Sequence, residues 1–354
     1  MAFRLDNLVR ENVKKLVPYS SARGEFTGDA RVYLDANENS FGSPLPENYN
    51  RYPDPLQTRI KQRVAESNDV QPTEIFVGNG SDEAIDLLFR IFCGPQIDNV
   101  VICQPTYGMY EVAAAINDVP VRRANLTSEF ALDVEGVLNE ANDDTKLVFL
   151  CSPNNPTGNS MAREAILKIA SDFKGIVVLD EAYIHFSNES SLVAEINNYP
   201  NLVVLQTFSK AWGLAGLRIG LAFAQQEMIT LFNKIKPPYN VSQVVQEMVL
   251  EAFDNRQGMI DTIAEIVRER KSLATKLAEL SCVARVYPSD ANFLLISLAD
   301  ANEVYQFLLH KKIVVRNRSN VELCEGCLRI TVGTAEENQA LLKALEQYEK
   351  SLIY

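Results

Sequence analysis

The sequence predicts an α/β protein: a mostly parallel sheet with helices on both faces, followed by a smaller α+β domain. Three observations lead there. Between residues 54 and 235, short apolar runs alternate with helical patterns, and strands apolar along their whole length belong to a sheet covered on both sides. KPPYN (236–240) interrupts this alternation, and the order of elements changes after it. Finally, 354 residues exceed what a single hydrophobic core serves, so two domains are expected.

In chain order, residues 1–30 read as an arm and 31–240 as the large α/β domain. Its expected strands are EIFVG (74–78), NVVICQ (99–104), KLVFLC (146–151), GIVVLD (175–180), NLVVLQT (201–207) and LRIGLAFA (217–224). Residues 241–354 form the small domain. It opens with one long helical run (242–280), then has strands CVARVYP (282–288) and ANFLLISL (291–298) and a helix. Strands KIVVRN (312–317) and CLRITVG (327–333) and a closing helix complete it.

Composition restricts the partners. A hydrophobic content of 47% with mean hydropathy −0.08 describes a soluble globular chain. No run of about 20 apolar residues suggests a membrane span, and MAFRLDNLVRENVKKLVPYS lacks the apolar centre of a secretory leader. A cytoplasmic location is expected. The net charge of −12 opposes nucleic acid and anionic membranes as partners, but leaves room for small anions wherever arginines cluster. Of six cysteines, Cys324 and Cys327 have metal-ligand spacing, yet no second pair follows and only His185 and His310 could complement them. No metal site is expected, and the thiols read as reduced. Neither histidine lies near a GxSxG elbow, which argues against a Ser-His-Asp hydrolase.

Ligands of open α/β sheets bind beyond the carboxyl ends of the strands. There this chain places NGSDE, PTYGMY, SPNNPTG, EAY and FSK. Lys210, in FSK, follows a core strand, where an amine available uncharged can attack a carbonyl; an isolated loop lysine would be mere surface. Ser209 and Arg218 suit a phosphate, as does the helix that NGSDE opens with Gly80, Ser81 and Asp82, although an ordinary N-cap accounts for the same letters. Asp180 could face a protonated pyridine nitrogen. It could also hold Mg²⁺, but the chain contains no GxxxxGK[ST]. Asn155 could simply shape a turn, and Tyr107 could be a core aromatic. Taken together, the set describes a pyridoxal phosphate site.

TFSKAWGLAG (207–216) resembles the cofactor-lysine signature of class II aminotransferases, within the fold type I pyridoxal-phosphate superfamily; SPNNPTG, VLDEAY and GLRIG match that superfamily in order. LDANENS, RYPDP, GNGSDE, PTYGMY and CLRITVGT resemble, more narrowly, the histidinol-phosphate aminotransferase family, from about Tyr19 to the last helix. The resemblance implies that Lys210 is the covalent anchor of the cofactor and Asp180 the partner of its ring nitrogen. Asn155 and Tyr183 would bond its phenolic oxygen, and Tyr107 would stack on the ring. Gly80, Ser81, Asp82, Ser209 and Arg218 would hold its phosphate. It implies further that Tyr52 reaches that phosphate from the other subunit of a homodimer with shared active sites, that Arg316 and Arg329 bind substrate, and that Tyr19 and Asn37 line the entrance. One departure is Ser40, where the family carries proline after NEN.

The implied reaction exchanges the amino group of L-histidinol phosphate with 2-oxoglutarate, giving imidazole acetol phosphate and L-glutamate, in histidine biosynthesis. An arginine pair suits it, because a guanidinium fork accepts a phosphate or a carboxylate equally well. Rival readings are a threonine-phosphate decarboxylase, an aromatic-amino-acid aminotransferase and a non-catalytic binding module on the same fold.

Overall fold

Residues that must meet a ligand at one edge of a sheet need strands ending together, and the computed structural model, which describes residues 3–19 and 31–351, provides them. Strands β1 (Ile75–Asn79), β2 (Asn99–Gln104), β3 (Val121–Asn125), β4 (Thr145–Cys151), β5 (Ile176–Asp180), β6 (Leu202–Thr207) and β7 (Ile219–Phe223) form a seven-stranded sheet in the order β1-β7-β6-β5-β4-β2-β3. From β3 through β6 all pairings are parallel, whereas β7 runs antiparallel to both neighbours.

That reversal matters for the site. Because β7 enters the sheet where β1 and β6 end, its first residues lie beside their last: Asn79 pairs with Ile219 and Thr207 with Gly220. Arg218, immediately ahead of β7, is thereby delivered to the same edge as Lys210, three residues past the end of β6.

Strands β1, β4 and β5 are apolar on both faces because both faces are covered. Ile75, Val77, Val148, Leu150, Val177 and Leu179 face one core layer, with the helices Thr58–Asn68, Arg163–Asp172 and Gln243–Asp254. The alternate residues Phe76, Phe149, Ile176 and Val178 face the other, with the helices Gly80–Phe92, Met109–Ile116 and Gln226–Ile235. Strand β3 was not expected from the sequence. VRRAN is an edge strand with only Ala124 fully buried, so it carries arginines instead of an apolar run.

The second sheet is antiparallel throughout, in the order β10-β11-β9-β8, from β8 (Val283–Val286), β9 (Phe293–Leu298), β10 (Arg316–Asn317) and β11 (Cys327–Thr331). The strand expected over 312–317 shrinks to two residues, since Lys312 takes a left-handed φ of 62° and Val314 is 79% exposed. The single helical run expected over 242–280 is two helices, Gln243–Asp254 and Arg256–Ala278, hinged at Asn255 (ψ 24°). The first packs Val249 and Phe253 into the core of the large sheet. In the N-terminal segment, Val9 and Val13 pack on the large sheet's second layer. No helix among the described residues is long and apolar enough to cross a membrane.

Candidate active site

At the carboxyl edge of the large sheet lies a cavity of about 120 Å³. Gly80, Ser81, Asp82, Tyr107, Asn155, Asp180, Tyr183, Ser209, Lys210 and Arg218 all line it, with Cys151, Ala182 and Thr207. Ten of the residues singled out in the sequence thus meet in one place. They are drawn from segments up to 138 residues apart, and the parallel register aligns their strand ends.

Asp180 is the last residue of β5 and is 2% exposed. One carboxylate oxygen accepts the hydroxyl of Tyr110 at 2.7 Å and the other the backbone N–H of Ala182 at 3.0 Å. Burial pushes its pKa up, while these two hydrogen bonds and the nearby Lys210 ammonium pull it down. A carboxylate so placed gains most from a cationic partner inside the cavity.

Lys210 stands in the turn after β6, which is held by Phe208 N–H donating to Ile219 O at 3.0 Å and Gly213 N–H to Lys210 O at 3.0 Å. Its Nζ lies 5.6 Å from the centre of the Tyr183 ring. The residue keeps solvent access at the cavity mouth, yet enough of the amine is withdrawn from water to lower its pKa. Arg329 lowers it further, and Asp180 opposes the shift. A shift in this direction eases the loss of the proton that attack on a carbonyl requires.

The start of the helix Gly80–Phe92 also lines the cavity. Gly80 sits at φ +73° and donates its N–H to Arg218 O at 2.8 Å. A Cβ on Gly220 would lie 2.1 Å from Ser81 N, so only glycine lets β7 approach this helix. Arg218, itself left-handed at φ 55°, reaches Ser209 Oγ at 3.4 Å and Asp82 Oδ2 at 3.2 Å. Asp82 also accepts from Tyr107 OH at 3.2 Å, so its carboxylate orients the arginine and the phenol and only its backbone N–H is suited to an anion.

On the remaining wall, Asn155 Nδ2 donates to Tyr183 OH at 3.4 Å, and its Oδ1 accepts from Arg329. Burial raises the pKa of both Tyr107 and Tyr183, so both phenols keep their protons.

Anion donors, a buried carboxylate and an amine lining one cavity fit a phosphorylated pyridine aldehyde. Tyr107 borders that space with its ring edge-on to Tyr110, centroids 5.5 Å apart.

Five of the singled-out residues lie elsewhere. Arg329 is half-buried on β11, with its guanidinium 5.2 Å from the Phe293 ring centre. Arg316 is exposed and in register with it. Tyr52 stacks on Tyr239, centroids 4.4 Å apart, and borders a separate cavity with Asn37. Tyr19 is 77% exposed.

Sequence reasoning passed over Tyr110, in the first turn of the helix Met109–Ile116 that PTYGMY opens, where its ring is fully buried. It also missed Glu181, buried beside Asp180, which accepts from Ser191 Oγ at 2.5 Å, Leu192 N at 2.7 Å and Gln206 Nε2 at 3.0 Å. Those bonds fasten the turn after β5.

The family model described as aminotransferase class I and II matches residues 31–345. The histidinol-phosphate aminotransferase of Parabacteroides distasonis is 55% identical over 342 residues, covering 97% of this chain and 98% of its own. Among solved structures, the histidinol-phosphate aminotransferase of Clostridium acetobutylicum superposes with a TM-score of 0.79 at 25% identity, covering 86% of this chain and 92% of its own. That of Sinorhizobium meliloti, in complex with pyridoxal-5′-phosphate, has the same fold, with a TM-score of 0.79 at 24% identity and 90% of each chain covered. The match of sequence and fold, over nearly the whole length and around one assembled cavity, leads to a single assignment: this chain belongs to the class I and II aminotransferases.

Proposed function

We propose that this chain transfers the amino group of L-histidinol phosphate to 2-oxoglutarate, yielding imidazole acetol phosphate and L-glutamate, with pyridoxal 5′-phosphate as cofactor. The observation that carries this reading is Lys210 and Asp180 lining one cavity together with Ser209, Arg218 and a helix start, in a chain 55% identical to a histidinol-phosphate aminotransferase.

When bound, the cofactor supplies an electron sink for the bond broken at the substrate Cα. The protein does the rest. Lys210 Nζ would hold the group and, as general base and then acid, would take the proton from the substrate Cα and return one. Asp180 holds the ring nitrogen protonated, and Tyr110 and Ala182 N–H keep that carboxylate ionised and aimed. Asn155 and Tyr183 donate to the phenolic oxygen, and Tyr107 covers the ring. Backbone N–H groups of Ser81 and Asp82, the hydroxyls of Ser81 and Ser209, and the Arg218 guanidinium bind the phosphate, beside Gly80, whose own N–H is held by Arg218 O.

For substrate, Arg329 takes the phosphate of histidinol phosphate or a carboxylate of glutamate, aided by Arg316, while Tyr19 and Asn37 border the entrance. Tyr52 lies outside the cavity of its own chain, as a residue serving a second subunit must. With the exposed apolar residues Leu34, Phe41, Leu45 and Leu56 around it in sequence, this supports a homodimer with shared sites. A two-domain division, in which the helix Gln243–Asp254 packs on the large sheet, and a cytoplasmic location, in keeping with six free thiols, belong to the same reading.

Incubating the cofactor-loaded enzyme with histidinol phosphate and 2-oxoglutarate tests it. Stoichiometric glutamate is expected. Carbon dioxide released from threonine phosphate, with no glutamate formed from histidinol phosphate, would mean a decarboxylase instead.

A further inference from the structure

The ladder between β10 and β11 gathers three arginines. Arg316 is in register with Arg329. Arg318 N–H donates to Cys327 O at 2.9 Å, which extends the ladder and puts Arg318, two residues on, on the same face as Arg316. Like charges opposed in a ladder are destabilising. Among the described residues, none of the three has a carboxylate partner: Arg329 contacts Asn155 and the Phe293 ring, and Arg318 leaves its buried Nε without any hydrogen bond. Burial, Arg329 and Arg316 together push the Arg318 pKa down to about 10.

A buried guanidinium donor without an acceptor calls for an explanation. Arg318 borders a second cavity, about 370 Å³, whose wall includes Tyr107 and Asn155, and both also line the Lys210 cavity. Of its other charges, Arg123 pairs with Glu111 at 2.8 Å, and Glu322, exposed, accepts from the neutral Asn125 amide at 2.8 Å and keeps its charge in water.

We propose that Arg318 determines specificity for the phosphorylated substrate, binding the phosphate monoester in the cavity beside Tyr107 and Asn155 together with Arg329, which reaches the wall of that cavity through Asn155. This rests on the proposed function only in taking that substrate to be phosphorylated. A phosphate monoester carries about −1.5 to −2 charges at neutral pH and three acceptor oxygens, whereas a carboxylate carries one charge and is satisfied by one guanidinium fork. A second unpaired guanidinium therefore favours the phosphate over the carboxylate donor.

The test compares Arg318→Gln and Arg318→Lys with wild type, all loaded with cofactor. For Arg318→Gln, kcat/KM for histidinol phosphate is expected to fall about tenfold or more, the size of one charge-assisted hydrogen bond. Values for unphosphorylated histidinol and for glutamate should stay within about twofold. Arg318→Lys should lose less for the phosphate substrate, and the comparison rests on it alone if the glutamine variant does not fold. Equal losses for histidinol and its phosphate, or no loss for the phosphate, overturn the inference. Calorimetric titration with inorganic phosphate separates it from the functional reading. A Kd weakened about tenfold in Arg318→Gln supports Arg318 even if wild type fails to turn over histidinol phosphate, and an unchanged Kd overturns it even if wild type succeeds.

Discussion

The hydroxyl of Tyr110 meets a carboxylate oxygen of Asp180 at 2.7 Å, with both residues withdrawn from water. Tyr110 is also stacked on Phe149, centroids 4.9 Å apart, so the donor is fixed before any ligand arrives. Replacing it with phenylalanine leaves the ring packing and removes only the hydrogen bond. The Asp180 pKa should then rise further, and the acid should hold a pyridinium less well. Cofactor Kd, read by absorbance titration, is expected to weaken about tenfold, the effect of one hydrogen bond to a charged group. An unchanged Kd would show that Ala182 N–H suffices.

Lys210→Ala should give a folded protein that binds the aldehyde without covalent attachment. Borohydride reduction followed by peptide mapping is expected to label Lys210 in wild type and no lysine in the variant. A label on another lysine refutes the assignment.

Gly220→Ala would place a methyl group 2.1 Å from Ser81 N and 2.2 Å from Gly80 C, both backbone atoms that cannot turn aside. The helix start must retreat and take its N–H groups with it. Overpacking of this kind costs about 1–3 kcal/mol, so the melting temperature should drop and cofactor affinity with it. Retention of both would mean the strand absorbs the methyl group by sliding.

Arg329→Ala is expected to weaken histidinol phosphate and glutamate alike, by about a hundredfold in kcat/KM, the scale of truncating one partner of a buried charge pair. Separate half-reactions measure each. Loss confined to histidinol phosphate would show that the two anions do not share this guanidinium.

Lys61 tests the fold away from the site. It is 6% exposed, and burial, reinforced by Lys236, lowers its pKa from 10.5 to about 8. The unfolded chain then holds the extra proton between those values, so stability should rise with pH across about 8 to 10.5. Lys61→Met should add about 1–3 kcal/mol at pH 7 and flatten that rise. Denaturant melts at pH 7, 9 and 10 check both, and an unchanged pH profile sinks the idea.

The chain by itself determined the large sheet's inner strands and the list of residues at their ends. Continuous apolar runs are the direct imprint of burial on both faces, and the residue after such a run must lie at the sheet's edge. For that reason Lys210, Asp180, Asn155 and the NGSDE turn were legible without coordinates. Edge strand β3 was not, because half of it faces water and its two arginines break the pattern; nor was the hinge at Asn255, where helical periodicity runs on through a single residue of altered ψ. Only the tertiary structure decided the partners: Tyr110 for Asp180, Arg218 for Ser209 and Asp82, Arg329 for Asn155, and the unpaired Arg318. Each joins residues from different elements, and such meetings follow from strand order and direction, which no local stretch of sequence encodes. The reversal of β7 is the clearest case, since it alone brings Arg218 back to the edge where Lys210 waits.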